Sequence, residues 1–298
     1  AVLLRWLYPL LLDALGMGKI SVGPPYFDTV FMPLMAPAVF LMGVGPLARW
    51  KEASLPDLAR RLAWALAVAI IAALATGWMA GQITLVTSLG LLMVYWIVGS
   101  VVTDLWEHVW RRGEGLRSAL RKSRQLPRAL VGMMLAHLGV AAFCFGVAMV
   151  KSYEVERDVK MTVGDSTTVN GYTFTFMGIR NVEGPNYSAV RGMIEVTRDG
   201  RKLVDMQPEK RVYRIQQNPM TEAAIDVGLT RDLYVSLGEP VDGDGWIVRI
   251  YVKPFIDWIW GGCLLMALGG LLAVTDRRYR QKKRADQPVA ASVAGVAP

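Results

Sequence analysis

Five runs of apolar residues, each long enough to cross a lipid bilayer as a helix, constrain the fold of this chain most strongly. A helix needs about 20 mostly apolar residues to span the hydrocarbon core. The five runs cover residues 30–47, 62–80, 84–103, 129–150 and 255–274. The opening segment, 1–15, is apolar too, but its Arg5 and Asp13 are typical of the end of an earlier span or of an interfacial helix. We therefore expect a mainly α, polytopic membrane protein with about five transmembrane helices.

The composition agrees with several spans and an additional folded domain. Of the 298 residues 53% are hydrophobic, and the mean hydropathy is +0.32. The chain starts with Ala-Val-Leu-Leu and shows no charged n-region before a small-residue cleavage site. The sequence therefore predicts no signal peptide and is typical of a piece of a longer protein or of one half of a split one.

Basic residues are concentrated on one side of the predicted membrane. Segments 49–61, 104–128 and 275–298 carry four, seven and six Lys or Arg residues, and alternation of the spans places all three on the same side. The positive-inside rule assigns that side to the cytoplasm. The net charge of +8 is then a topology signal, so nucleic-acid binding is not needed to explain it, although the basic segments can also contact anionic lipid.

Residues 151–253, between the last two spans, have a different composition. They carry 14 Lys or Arg and 15 Asp or Glu residues, and apolar and polar residues alternate in YTFTFMGI, AVRGMIEVTR, RKLVDM, LYVSLG and WIVRIYV. Alternation of this kind predicts β-strands. Asn170-Gly171 and Asp199-Gly200 are typical of two-residue hairpin turns. We expect a small all-β domain outside the membrane, a sandwich or barrel of seven or eight short strands.

These patterns predict the order of the domains along the chain. The predicted parts are a membrane domain (1–150, with an outer entry segment 1–29 and the first four spans), a β-domain (151–253), a last transmembrane helix (254–276) and a basic tail of disordered composition (277–298). Within the entry segment, Gly23-Pro24-Pro25-Tyr26 predicts a stiff connection, because proline fixes φ and removes a backbone donor.

One histidine, His137, lies in the middle of the fourth span, in LAHLGVAAFCFGV. It is about eight residues, or roughly 12 Å, from the basic end of the span. A polar side chain in hydrocarbon is a functional-site candidate, and burial disfavours the charged imidazolium, so the neutral ring is available as a ligand. Gly132, Ala136 and Gly139 allow another helix or a flat macrocycle to approach closely. The pattern is typical of a haem-ligating histidine, and a hydrogen bond between helices is the alternative.

The other candidate residues are expected to have structural roles. Cys144 and Cys263 lie in apolar runs without CxxC or zinc spacing and are expected to pack as small apolar side chains. His108, between Trp106 and Trp110, is typical of an interfacial aromatic belt. The sequence shows no Ser/His/Asp arrangement, no paired carboxylates and no Gly-rich phosphate loop, so catalytic residues stay unknown.

The stretch LYPLLLDALGMGKISVGPPYFDTVFMPLM, followed by LAHLGVA, an outer β-domain and a last span, resembles the C-terminal half of the CcmF family. These proteins are the haem lyase subunits of the bacterial cytochrome c maturation system. The resemblance covers essentially the whole chain, and SVGPPYF is its most specific part. It implies a multi-pass protein of the bacterial cell inner membrane, with residues 151–253 in the periplasm and the C-terminus in the cytoplasm.

The resemblance also implies an activity, a cofactor and partners. CcmF proteins act with CcmH and CcmI-type subunits, accept haem from the haem chaperone CcmE, and help attach it to the CxxCH cysteines of apocytochrome c. They hold a buried haem b between two transmembrane histidines, and electrons passed through it, with quinol as a suggested donor, help keep the incoming haem reduced. The match places one axial ligand of the haem iron at His137. The second ligand, a Trp-rich haem-handling segment and two periplasmic histidines are absent here and are implied to belong to the N-terminal half.

We therefore expect part of a thioether-forming haem lyase, with its chemistry shared with the N-terminal half, and a β-domain that helps dock partners. Two alternatives stay open: a non-catalytic membrane assembly scaffold in which His137 joins helices, and a haem or solute transporter subunit with His137 on the path. A transporter predicts further ionisable residues inside the spans, whereas Asp104, Glu107 and Asp257 are expected at span ends.

Overall fold

The computed structural model describes residues 2–17, 27–48, 55–79, 81, 84–110, 115–215, 217–241 and 245–276. The helices are α1 (Val2–Ala14), α2 (Met32–Val44), α3 (Leu55–Met79), α4 (Leu85–Val109), α5 (Leu116–Ser123), α6 (Arg128–Tyr153) and α7 (Asp257–Val274). A π-helical turn, Phe27–Phe31, precedes α2, and a 3₁₀ turn, Gly45–Leu47, follows it. The predicted Gly-Pro-Pro-Tyr connection and the basic tail lie outside the described residues.

Five helical segments are long and apolar enough to cross a membrane, as the sequence predicts. They are Thr29–Leu47, Pro56–Met79, Leu85–Val109, Arg128–Tyr153 and Asp257–Val274. The second and third segments differ most from their predicted bounds, the second because it begins at Pro56, six residues before the predicted start. The third is longer at its other end. Its helix continues beyond Thr103 to Val109, because Asp104, Glu107 and His108 lower the hydropathy without interrupting the helical backbone.

Helices α2, α3 and α4 pack through small and aromatic residues. Trp96 of α4 stacks on Phe40 of α2 with the ring centroids 5.1 Å apart, and its Nε1 donates a hydrogen bond to the Phe40 carbonyl at 2.9 Å. Gly99 of α4 allows close approach to α3, since a Cβ atom there would lie 3.1 Å from the Cβ of Ala65. These contacts fix the position of α4, which carries Asp104 and His108.

Ten strands form the β-domain within the described residues. They are β1 (Val155–Met161), β2 (Ser166–Val169), β3 (Tyr172–Glu183), β4 (Tyr187–Arg198), β5 (Arg201–Met206), β6 (Glu209–Tyr213), β7 (Pro219–Glu222), β8 (Ala224–Asp226), β9 (Arg231–Val241) and β10 (Gly245–Pro254). The observed number exceeds the predicted seven or eight, because β7 and β8 are only four and three residues long and do not show the alternation that predicts a strand.

The strands form two antiparallel sheets. One has the order β1-β10-β9-β8, and the other has the order β2-β3-β4-β6-β7, with β5 also paired to β4. Their common core contains Phe174, Phe176, Ile194, Leu233 and Ile250, each at most 1% exposed. The domain is therefore a β-sandwich, one of the two architectures that the alternation predicts.

Both predicted hairpin turns are confirmed. Asn170-Gly171 joins β2 to β3, and Asp199-Gly200 joins β4 to β5. All four residues have positive φ, between 49° and 80°. A type I′ turn requires positive φ at both central residues, which Asn-Gly and Asp-Gly adopt readily.

The contacts divide the chain into two units. The first comprises Ala1–Gly81, Leu91–Ala141 and Gly262–Pro298, and it contains His137, His108 and most of the helical residues. The second comprises Gln82–Gly90 and Ala142–Gly261, and it contains the sandwich with the adjoining turns of α4, α6 and α7.

Candidate functional site

His137 lies on α6, nine residues after the helix begins, which corresponds to about 14 Å along the axis. The residue is half-buried, and its Nδ1 lies 2.8 Å from the carbonyl oxygen of Met133, one turn earlier. A hydrogen bond to this carbonyl requires the proton on Nδ1, because the carbonyl can only accept. Nε2 then carries the lone pair, and the contacts of the described residues give it no partner. The ring is thus oriented by its own helix and retains one nitrogen for a ligand.

A row of glycines on α6 packs directly against α7. A Cβ atom at Gly132 would lie 2.5 Å from the carbonyl oxygen of Gly269, and one at Gly139 would lie 2.6 Å from the backbone nitrogen of Met266. Gly146, one heptad further, lies similarly close to Ile259. Of the two uses predicted for these small residues, the structure therefore shows the approach of another helix.

The glycine row and His137 lie on different sides of α6. Five residues separate Gly132 from His137, which corresponds to about 140° around a helix of 3.6 residues per turn. Met133, Val140 and Ala141 lie on the same side as His137 by helical spacing. Helix α7 therefore packs on the side of α6 that lies away from His137, and the side that carries the histidine is apolar.

Asp104 is a functional candidate that the sequence analysis did not single out. It was expected at a span end and lies five residues, or about 8 Å, before the end of α4, where it is only 3% exposed. It interacts electrostatically with His137 of α6. The signal available in the sequence was an acidic residue one turn before His108, but the fold was needed to bring it near His137.

His108 occupies the last turn of α4 beside this carboxylate. Its Nδ1 lies 2.8 Å from the backbone carbonyl oxygen of Asp104 and 3.3 Å from its Oδ1, and its side chain is 46% exposed. The predicted aromatic surroundings are present, since Trp106 and Trp110 stack with their centroids 4.9 Å apart. Both histidines of the chain therefore interact with one buried aspartate.

The two cysteines lie apart from this group. Both have free thiols; Cys144 is half-buried on α6 and Cys263 is exposed on α7. Seven residues, about 10.5 Å along the axis, separate Cys144 from His137. At that separation a thiol cannot bind the same iron as the imidazole.

The charged clusters of the sandwich pair internally. Glu209, 5% exposed, accepts hydrogen bonds from Arg191 Nε at 2.6 Å and from Arg211 Nε at 2.7 Å. Arg231 donates to the hydroxyl of Tyr172 at 3.2 Å and lies 2.5 Å from Asp226. The Arg191–Glu209 and Arg231–Asp226 interactions join neighbouring strands, and the Arg231–Tyr172 interaction joins the two sheets, so we assign them to the stability of the sandwich.

Comparisons with known proteins identify relatives of this chain. The family described as CcmF C-terminal beta-sandwich matches residues 152–254. The cytochrome c-type biogenesis protein CcmF of Pseudomonas aeruginosa is 44% identical over 294 residues, which are 99% of this chain and 44% of that protein. CcmF of Escherichia coli is 42% identical over 288 residues, with 94% of this chain and 42% of that protein covered.

A solved structure agrees with these relatives. The protein titled Cytochrome c Heme Lyase CcmF superposes with a TM-score of 0.70 at 26% identity, and the match covers 92% of this chain and 43% of that one. The chain thus spans less than half the length of the relatives that it matches. It belongs to the CcmF family and corresponds to the C-terminal part of its members.

Proposed function

We propose that this chain is the C-terminal part of a haem lyase that acts in bacterial cytochrome c maturation. The proposal is supported by relatives named cytochrome c-type biogenesis proteins and by a solved relative titled a haem lyase. In the proposed reaction, haem delivered by CcmE is attached to the CxxCH cysteines of apocytochrome c. CcmH, CcmI-type subunits and the N-terminal half of the same protein are the proposed partners.

We further propose that His137 is an axial ligand of a haem b, and the contact of its Nδ1 with the Met133 carbonyl oxygen is the observation that carries this proposal. Nδ1 donates to the Met133 carbonyl, so Nε2 presents its lone pair away from the backbone. Metal-binding histidines commonly donate their other ring N–H to a backbone carbonyl in this way, which fixes the orientation of the ring. The residues present therefore fit the group.

The proposed cofactor would supply a one-electron iron couple that helps keep the incoming haem reduced, with quinol as the donor. His137 would hold the iron, and its ligation and apolar surroundings would set the potential. The packing of α6 on α7 keeps His137 at a fixed depth. The second axial ligand is proposed to come from the N-terminal half.

The proposed topology follows from the distribution of basic residues. The segment between α4 and α6 carries six Lys or Arg residues, and Arg128 begins α6. This segment would face the cytoplasm, with the basic residues that follow α7 on the same side. Residues 151–253 would then form a periplasmic domain that helps dock partners. A cysteine introduced at the exposed Met177 should react with a membrane-impermeant maleimide added to spheroplasts. Labelling only after lysis would reverse the proposed orientation.

An absorption spectrum tests the haem proposal. The protein assembled with its N-terminal half is purified as wild type, His137→Ala and His108→Ala, then oxidised and reduced. We expect a reduced b-type band that His137→Ala removes and that His108→Ala, the matched control, retains. A band that survives His137→Ala and disappears with His108→Ala would move the ligand to α4. A colourless wild-type protein would overturn the cofactor assignment.

One observation favours the transporter alternative. Asp104 is an ionisable residue inside a span, which a solute path predicts. The scaffold alternative is favoured less, because the hydrogen bond of His137 is made within its own helix and not between helices. If the protein transports haem or another solute, and its absorption spectrum does not depend on His137, the transporter alternative is the correct one.

A further inference from the structure

Asp104 has an unusual environment for a carboxylate. It is 3% exposed, and its Oδ2 is the one buried side-chain oxygen or nitrogen atom without a hydrogen-bond partner in the part of the chain that the structure describes. The nearest hydroxyl groups on α4 are used elsewhere. Ser100 donates to the Ile97 carbonyl at 2.8 Å, and Thr103 donates to the Gly99 carbonyl at 2.7 Å. A buried carboxylate oxygen left without a hydrogen-bond partner is costly, so it points to a function for Oδ2.

The side chains of His108, Asp104 and His137 lie at increasing distance from the surface. His108 is half-exposed, and its Nδ1 lies 3.3 Å from Oδ1 of Asp104. His137 interacts electrostatically with Asp104 from α6. Measured from the segment that joins α4 to α6, Asp104 is about 8 Å deep and His137 about 14 Å deep. His108 thus contacts solvent, Asp104 is buried, and His137 belongs to the proposed haem site.

The remaining charged neighbour is already paired. Glu107, on the same helix, interacts with Asp104 but accepts a hydrogen bond from Arg61 of α3 at 3.2 Å. Its side chain is 37% exposed. Glu107 is therefore a carboxylate in nearly the same place that lacks the burial and has an arginine partner.

We propose that His108 and Asp104 form a proton path from the surface at the end of α4 to the His137 site. One electron that reaches the site adds one negative charge to a region of low dielectric constant. One proton from solvent binds Nε2 of His108, and the Nδ1 proton of His108 passes to Oδ1 of Asp104 and compensates that charge. Exchange of the Nε2 proton with solvent and reprotonation of Nδ1 then restore the starting tautomer of His108. Chains of Asp, Glu and His serve as proton relays in other membrane proteins. The coupling to an electron, which we call the electron half of this inference, rests on the proposed function. The transfer of a proton from His108 to Asp104, the proton half, does not.

The pH dependence of the midpoint potential tests the coupling in the protein assembled with its N-terminal half. Coupled uptake of one proton per electron lowers the potential by up to about 59 mV per pH unit, the value for a tenfold change in a one-electron couple. We expect this slope in the wild type and in the matched control Glu107→Gln, and its loss in Asp104→Asn. Asp104→Glu, which keeps a carboxyl group, should retain a slope. An Asp104→Asn protein with an unchanged slope would overturn the proposal.

Infrared spectroscopy separates a failure of this inference from a failure of the proposed function. If the preparation has no His137-dependent haem spectrum, the proposed function fails and the electron half fails with it. The proton half is still tested by a pH drop in D₂O, which converts the Asp104 carboxylate, identified by the band that Asp104→Asn removes, into a deuterated carboxyl group at a measurable rate. His108→Phe should slow this uptake at least tenfold while Glu107→Gln leaves it unchanged. Equal uptake rates in wild type and His108→Phe would overturn the path.

Discussion

Gly132 of α6 and Gly269 of α7 face each other so closely that neither position can accept a Cβ atom without movement of the helices. A Cβ at Gly132 would lie 2.5 Å from the Gly269 carbonyl oxygen, and a Cβ at Gly269 would lie 2.5 Å from the backbone nitrogen of Ala136. The atoms that would be met belong to the backbone, which cannot rotate away. Small residues at both sides of the contact therefore set the distance between the two helices.

Gly132→Ala should destabilise the protein by about 1–3 kcal/mol, because the added methyl group forces the two helices apart. Thermal unfolding in detergent, followed by circular dichroism, measures the loss. Gly270→Ala is the matched control, since nothing lies within 4 Å of a Cβ at that position. It should be neutral or stabilising by up to about 1 kcal/mol through helix propensity. Equal losses in both variants would contradict the close backbone contact.

The sequence was sufficient to predict the spans and much of the sandwich, because both follow from local patterns. Hydropathy indicated the five spans, and the alternation in YTFTFMGI and WIVRIYV indicated β3 and β10. The short strands β7 and β8 have no such signal, since their pairing with β6 and β9 depends on neighbours brought together by the fold.

The candidate site was predicted less completely for the same reason. His137 stood out because it is an isolated polar residue in an apolar run. The sequence could not show that Asp104 lies near it, because that proximity depends on how α4 and α6 pack. Nor could the spacing of Gly132 and Gly139 show whether a helix or a macrocycle fills the contact; the partner, α7, begins more than 100 residues later.

The core of the sandwich should depend on Phe174. Its side chain is 0% exposed, and Phe174→Ala leaves a cavity that costs about 3–5 kcal/mol. Met177 lies on the same strand but is 52% exposed, so Met177→Ala should cost less than about 0.5 kcal/mol. Hydrogen exchange of the β3 and β4 amides in the full chain measures both. Comparable protection in the two variants would show that Phe174 does not lie in the core.

Glu209 should make the sandwich sensitive to acid. Burial raises the pKa of its carboxyl group, but hydrogen bonds from Arg211 and Arg191 outweigh this effect and hold the pKa below the ordinary value of 4.5. A pKa that is depressed in the folded state stabilises the protein above the unfolded-state pKa, and this stabilisation is lost as the pH falls through the folded-state pKa. Wild-type protein should therefore lose stability below about pH 4.5 as Glu209 becomes protonated.

Glu209→Gln tests this assignment. At pH 7 the variant should be less stable by about 1.5–3 kcal/mol, the typical range for hydrogen bonds to a charged group. The difference should shrink as the pH is lowered, because only the wild type has a carboxylate to protonate. Glu183→Gln is the control: Glu183 is exposed and lies 3.7 Å from Arg214, so its effect should stay within about 0.5 kcal/mol. A constant difference between wild type and Glu209→Gln at all pH values would refute the assignment.

Asp276 caps the start of α6, although it follows the end of α7. Its Oδ2 accepts a hydrogen bond from the backbone nitrogen of Ala129 at 2.9 Å, and the residue is 6% exposed. The first four N–H groups of a helix have no partner within it, and a carboxylate there also interacts favourably with the helix dipole. The contact therefore joins the beginning of the helix that carries His137 to the helix that supports it.

Asp276→Ala should destabilise the protein by about 1 kcal/mol and accelerate hydrogen exchange of the Ala129 amide. Asp276→Asn keeps an oxygen that can accept the hydrogen bond but loses the charge, so its cost should be smaller, about 0.3–1 kcal/mol. Exchange measured by mass spectrometry on peptides that contain residue 129 distinguishes the two effects. If Asp276→Ala leaves the exchange of Ala129 unchanged, or if both variants lose the same stability, the hydrogen bond does not cap α6.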